Sequence, residues 1–320
     1  MPKMLTRNLM SDQVQQPVSQ VADDEIDLRE LFSALWQGKW IIIVTTFLFS
    51  VASVFYALSL PDIYKSEVTL APVSEDSGLK IPGQLGGLAA LAGVNLGGAG
   101  GGDKTILALE ILKSRDFLGR FILENDLYIP IFASTGWDLI NNKLIIDPKI
   151  YDEISAEWVR VINPPFKAKP SIHEVVDSFK KSLSISQDKM TGIVKLSVSH
   201  YSPYLAKDIA DKLVSRINEE MRKRDLEEAE LSIIYLNSQI MTTTLADVRN
   251  MLYSLIEEQT KTLMIANVRR EYVFKTIDPA IVPEFKAKPY RALISALGFG
   301  FGLLISIFFL LTKFFLSNRK

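Results

Sequence analysis

Residues 40–60 read WIIIVTTFLFSVASVFYALSL and residues 292–312 read ALISALGFGFGLLISIFFLLT; neither stretch holds a charged residue. Each has 21 residues, which at about 1.5 Å per residue gives a helix of about 30 Å, the hydrocarbon thickness of a bilayer. A core helix of a soluble protein is usually shorter and keeps one polar side. Both stretches are therefore read as transmembrane helices. Two spans place residues 1–39 and 313–320 on one side of the membrane and residues 61–291 on the other.

The composition agrees with that division. Of 320 residues 48% are hydrophobic and 23% charged, too apolar for an ordinary soluble protein and too charged for a many-span bundle. A net charge of −1 gives no support to nucleic-acid binding, which shows as a basic face. Without cysteine there is no disulfide framework, thiol nucleophile or thiolate metal site. Asp23, Asp24, Glu25, Asp27 and Glu30 precede the first span, unlike the basic start of a cleaved signal peptide, so that span is read as a retained anchor. The charge rule for orientation divides: Lys313 to Lys320 is basic and favours the cytoplasm, while Lys286, Lys288 and Arg291 flank the other end of the second span.

Residues 1–24 read as a disordered tail. Ile26, Leu28, Leu31, Phe32, Leu35 and Trp36 recur at helical spacing and predict an interfacial amphipathic helix. Beyond Pro61, Tyr64 to Leu70 alternates as a strand. Gly78 to Gly102 has ten glycines in 25 residues but no G-x-x-x-x-G-K-[ST] pattern, so a partly apolar loop against a neighbouring subunit is expected over a phosphate cradle. Asp103 is expected to cap a helix running through Ile122, with a turn around Arg115 and Asp116. An irregular section follows, containing Trp137, Asn141, Asn142 and Pro164, Pro165 and Pro170. Ser171 with Glu174 makes a capping box. Leu183 and Ile185, a turn at Asp188 to Gly192, and Val194, Leu196 and Val198 predict a hairpin.

Ser202-Pro203 starts a helical pattern of 68 residues without internal Gly or Pro, residues 203–270. Leu205, Ile209, Leu213, Ile217 and Met221 form one stripe; Leu245, Val248, Leu252, Leu255 and Ile256 form a second. A single rod would be about 100 Å long, and only about twenty residues remain for the return to the membrane, spanning at most about 70 Å. A helical hairpin turning near Met241 to Thr244 resolves this, since three consecutive threonines weaken helix propensity; an unbroken helix bent elsewhere is the alternative. Between the stripes, Glu219, Lys223 and Glu227 form one i, i+4 row and Glu220, Arg224 and Glu228 another. These rows are either a solvated face or contacts to a neighbouring protomer. Glu271 to Ile277 reads as a strand rejoining the first. Pro279, Pro283 and Pro289 keep the approach to the second span extended, and Gly298 and Gly302 form a G-x-x-x-G pattern that permits close helix approach.

No catalytic, cofactor or metal residue is expected. His173 and His200 lie far apart without ligand or triad spacing, and Glu227-Glu228 and Glu257-Glu258 are adjacent on helices and face different ways. No G-x-S-x-G or kinase signature is present.

Several stretches resemble the Wzz-type chain-length determinants, polysaccharide co-polymerases of bacterial O-antigen assembly. They are Ile26-Asp27-Leu28 with Leu31, Tyr64 to Pro72, the Gly-rich loop leading into Leu107 to Arg115, Leu196 to Pro203, Ile217 to Met221, and Phe274 to Ala280 with Pro283, Pro289 and Arg291. The resemblance implies an α+β membrane protein of the Gram-negative inner membrane. Two transmembrane helices would flank a periplasmic domain with an α/β base and a long helical hairpin, with both termini cytoplasmic. It further implies a ring-shaped homo-oligomer, no enzymatic activity, and joint action with a Wzy-type polymerase on an undecaprenyl-pyrophosphate-linked glycan. Related tyrosine-kinase co-polymerases carry a Walker A domain after the second span, whereas eight residues follow it here, so autokinase activity is not expected. The short flanks likewise disfavour a sensor with a cytoplasmic output domain. A two-span scaffold for capsule or exopolysaccharide export is the alternative. Pro279, Pro283, Pro289, Gly298 and Gly302 are the expected partner contacts at the membrane, and Glu219, Glu220, Lys223, Arg224, Glu227 and Glu228 those along the arm.

Overall fold

A computed structural model describes residues 35–73 and 99–318. The N-terminal tail, nearly all of the expected interfacial helix and most of the Gly-rich loop lie outside them. The chain forms two units, one from residues up to Phe55 together with those from Ala292 onward, the other from Tyr56 to Arg291.

The first unit holds two helices, α1 (Lys39–Ser59) and α8 (Arg291–Asn318). Both are long and apolar enough to cross a membrane, and only 11% and 17% of their apolar windows are buried. Phe47, Phe55, Phe301 and Phe308 stand exposed. A core helix of a soluble fold would bury such a face, because each large side chain left in water forgoes about 1.5–3 kcal/mol.

The second unit is built on a five-stranded antiparallel sheet. Strand β1 (Ile63–Pro72) is central, flanked on one side by β7 (Val194–His200) and beyond it β6 (Leu183–Gln187). On its other side β9 (Lys286–Lys288) pairs with Ile63 and Tyr64, and β8 (Phe274–Asp278) pairs with Thr69 to Pro72. The expected hairpin is present in register, Ile185 opposite Leu196 and Leu183 opposite Val198. At its turn the carboxylate of Asp188 accepts the amides of Met190 and Thr191, and Gly192 takes φ +72°, a backbone conformation that side chains disfavour. The expected final strand starts later, at Phe274, because the backbone amides of Val273 and Phe274 are turned to a helix side chain described below.

Alternation sends Ser66, Val68 and Leu70 of β1 and Val194, Leu196 and Val198 of β7 inward. There they join one apolar core with α3 (Arg115–Glu124), α5 (Ile172–Ser182) and the first half of α6 (Pro203–Thr242). Phe121 and Phe179 stack at 6.3 Å. The capping box at Ser171 and Glu174 and the Ser202 cap with Pro203 are formed as expected. Two expectations are corrected. Helix α2 (Ala99–Lys113) begins before Asp103, which lies inside it rather than at its cap; burial of Thr105, Ala108 and Leu112 carries the helix. It ends at Ser114, whose hydroxyl accepts the amide of Phe117 and starts α3, one residue before the expected turn.

The section expected to be irregular has order. It contains a short helix α4 (Tyr128–Phe132) and two small hairpins, β2 (Ser134–Asp138) with β3 (Lys143–Ile146) and β4 (Tyr151–Asp152) with β5 (Glu157–Trp158). Arg160 fastens it to the core, donating to the carbonyls of Lys167 and Ala168 and, at 2.7 Å, to the Glu174 carboxylate at the start of α5.

The long helical pattern breaks at Thr243 to Leu245, overlapping the expected turn and ending one residue beyond it, and returns as α7 (Ala246–Val268). Helices α6 and α7 pack on each other. Ala266 and Ile265 of α7 reach the core that Met221 and Leu226 of α6 also join, so the pair is a hairpin and not a bent rod. The first stripe is buried from Ile209 to Met221. In the second, Val248, Leu252 and Ile256 are half-buried while Leu245 and Leu255 are exposed, because a two-helix arm has only one inner face.

Candidate functional site

The histidines are structural or solvent-facing. His173 is exposed. The buried His200 ring bonds the Pro130 carbonyl through Nε2 at 3.0 Å and accepts the Ser202 amide at Nδ1 at 3.0 Å. Burial lowers its pKa, which keeps it neutral. Among the described residues no group of His, Asp and Glu side chains could hold a metal ion.

Instead, the polar side chains that the fold brings together lie at the root of the helical arm. Asn218 interrupts the buried face between Val214 and Met221, and its amide is fully used. Its oxygen accepts the backbone amides of Val273 at 2.8 Å and Phe274 at 2.9 Å, and its nitrogen donates to the carbonyls of Phe274 at 3.0 Å and Val214 at 3.2 Å. One side chain of the outgoing helix thus holds the strand that follows the returning one. Two turns along, Asp225 accepts the Tyr272 hydroxyl at 2.6 Å and pairs with Lys104 of α2 at 2.9 Å.

Between them sits Glu220, only 8% exposed in its side chain. Arg120 of α3 meets it with two bonds of 3.2 Å, and Arg224 donates at 3.1 Å; Arg216 stands 3.9 Å away and also grips Glu124 at 3.0 Å. Burial alone would raise the Glu220 carboxyl, but the hydrogen bonds from Arg120 and Arg224 outweigh it and hold the group below its ordinary value. Of the charged rows, Glu220 is thus engaged by this chain's own α3. Glu219, Lys223, Glu227 and Glu228 remain on the surface, with Lys223 and Glu227 paired at 3.7 Å. A depressed folded-state pKa contributes stability that is present above the unfolded value, near 4.5, and is lost as pH falls through the folded one. Glu220→Gln is expected to cost about 1–2 kcal/mol at pH 7 and to make the unfolding midpoint fall less steeply below that value. Urea titrations at several pH values measure both.

The prolines lie along the sheet edge. Between β8 and β9, residues 279–285 carry Pro279 and Pro283 past β1, where the Ser66 hydroxyl donates to the Ile281 carbonyl at 2.8 Å. Pro289 follows β9. Arg291 then donates to the carbonyl of Ala57 at 3.2 Å and to the carboxylate of Asp62 at 2.9 Å, and Lys286 meets the same carboxylate at 3.3 Å. A cation on the last carbonyls of α1 answers the negative end of that helix.

Gly298 and Gly302 are occupied within the chain. A Cβ at Gly298 would run into Cβ and Oγ of Ser53, and one at Gly302 would lie 2.8 Å from Cβ of Phe49 and 3.0 Å from Cα of Thr46. Gly300 has nothing within 4 Å. Within the chain, the G-x-x-x-G face meets α1.

Sequence reading passed over Asn218, Arg120, Arg216, Arg160 and the Asp62–Arg291 pair. Asn218 carried a signal, a polar residue on an apolar helix face. The arginines carried none, since the carboxylates that tie them across the fold, Glu174 for Arg160, Glu124 for Arg216, Glu220 for Arg120 and Asp62 for Arg291, are 14 to 229 positions away.

Residues 24–124 match the model of the Wzz family, chain length determinant protein. The Wzz match takes in α1, β1, α2 and α3 and ends at Glu124, the partner of Arg216. Among solved structures a full-length bacterial polysaccharide co-polymerase is similar over 91% of this chain and 99% of its own, at 12% identity and a TM-score of 0.39. No curated protein matches.

Proposed function

We propose that this chain is a non-catalytic regulator of polysaccharide length in Wzy-dependent O-antigen biosynthesis. Helices α1 and α8 cross the bacterial inner membrane, both termini are cytoplasmic, and residues 61–291 lie in the periplasm. The protein works as a homo-oligomeric ring on a membrane polymerase that extends an undecaprenyl-pyrophosphate-linked glycan. The observation that carries this reading is the Wzz match over residues 24–124. Two further features support it. The apolar surface of α1 and α8 suits a lipid solvent. The arm leaves Leu231, Ile234, Tyr235 and Met251 in water, a surface that gains by lateral packing against further copies.

Deleting the gene and resolving the lipopolysaccharide on a gel tests the function. Loss of the modal band with total O-antigen retained supports it; unchanged O-antigen with altered capsule or exopolysaccharide points to the export-scaffold alternative, and no change in any surface glycan overturns both. For assembly, the protein in mild detergent is expected to sediment far above its 35.9 kDa monomer. A monomer across detergents and concentrations contradicts the ring.

A further inference from the structure

At the end of the sheet where the chain enters β1 and leaves β9 there is a cleft of about 370 Å³, bordered by α4, α5 and β7. Its polar rim is made by Lys181, Lys288, Ser178, Ser182, Ser199 and Tyr201, and Phe132 and Phe179 contribute to its floor. None of these two ammonium groups and four hydroxyls makes a hydrogen bond or ion pair with another described residue. No carboxylate lines the cleft, and His200 in its wall already uses both ring nitrogens.

Several other cations of this unit have carboxylate partners, while others on its surface, Lys180 and Lys189 among them, have none but do not face this cleft. Lys286 and Arg291 share Asp62, Arg120 and Arg224 share Glu220, and Arg160 meets Glu174. A lysine in the last turn of α5 is explained by the helix dipole, but that serves Lys180 equally, and Lys180 is not part of this cleft. A lysine on an edge strand guards against strand pairing, yet that does not account for the hydroxyls beside it. Half-buried hydroxyls and unmatched ammonium groups facing one space of ligand size are a recognition arrangement. The cations select an anion with several acceptor oxygens, the hydroxyls bond its oxygens and neighbouring hydroxyls, and the aromatic floor takes an apolar face.

We propose that this cleft binds a phosphate ester, gripped by Lys181 and Lys288. The ester could belong to the headgroup of an anionic lipid or to a phosphorylated saccharide. The inference does not depend on the length-control reading, since binding is measured without polymer synthesis.

The full chain is purified in a nonionic polyoxyethylene detergent and titrated calorimetrically with dioctanoyl phosphatidylglycerol and, separately, with glucose 1-phosphate. Circular dichroism checks folding of every variant. Saturable binding of at least one probe is expected, weakened about tenfold or more in Lys181→Ala/Lys288→Ala and unaltered in Lys180→Ala/Lys189→Ala. Binding of the lipid alone assigns the ester to a headgroup, binding of the sugar phosphate alone assigns it to a saccharide, and binding of both leaves the shared phosphate as the recognised group. No saturable binding of either probe to the folded wild type, or equal weakening by the control pair, overturns the proposal.

Discussion

Asn218→Leu is expected to free the helical arm from its base, at a cost of about 3 kcal/mol or more. Leucine fills the same buried space but offers nothing to the amides of Val273 and Phe274 or to the Phe274 carbonyl, which Asn218 bonds at 2.8 to 3.0 Å. Each stranded buried group costs about 1–3 kcal/mol, and there is no water-exposed side to which these can turn. The loss falls on the junction between α7 and β8, so it is measured by amide hydrogen exchange over residues 266–278. Exchange about a hundredfold faster is expected there, with little change at Val68 and Leu196 in the sheet centre. Equal exchange in Asn218→Leu and wild type would show that the clasp does not hold the arm.

Gly302→Leu is expected to separate the two apolar helices. The side chain would have to enter where Cβ of Phe49 and Cα of Thr46 already stand at 2.8 and 3.0 Å, and these are atoms of, or fixed to, the backbone, so the helix as a whole must shift. Overpacking usually costs about 1–3 kcal/mol, and in a bilayer close backbone approach supplies much of the attraction between helices. Gly300→Leu is the control, because that position has open space. The chain has no cysteine, so Gly38→Cys with Leu310→Cys gives a clean reporter: the Leu310 side chain touches the Cβ position of Gly38. Oxidative cross-linking should be efficient with wild-type Gly302 and with Gly300→Leu, and largely lost with Gly302→Leu. Undiminished cross-linking in Gly302→Leu would mean that the glycine does not set the packing.

Periodicity made much of this fold legible. The apolar runs gave the two long helices to within a residue or two at their inner ends, and strict alternation gave β1, β6 and β7. Ser171, Ser202 and Pro203 marked helix starts because capping is a local matter of one side chain and the next three amides. The threonines at 242–244 marked the turn of the arm for the same local reason. What escaped depended on distant partners. Asp103 looks like a cap, but packing of Ala108 and Leu112 extends the helix past it through three glycines. The hairpins at 134–158 are short and held by Arg160, whose partners no spacing rule names. Glu220 looks like one more charge on a solvated face until α3 brings Arg120 against it. Gly298 and Gly302 were recognised as a packing face, but which helix fills it is a tertiary fact.

The Asp62–Arg291 pair, the Asn218 clasp and the Glu220 cluster act in series. The first joins the two ends of the unit, and the others fix the arm to the sheet. The central claim is that this chain sets polymer length without making bonds. Its most direct measurement is polymerisation in proteoliposomes containing the Wzy-type polymerase and lipid-linked repeat units, with and without the purified chain. The account predicts that the polymerase alone gives a length distribution falling steadily from short products, and that adding the chain produces a modal length with the same total sugar incorporated. An unchanged distribution, or glycan synthesis by the chain in the absence of polymerase, would contradict it.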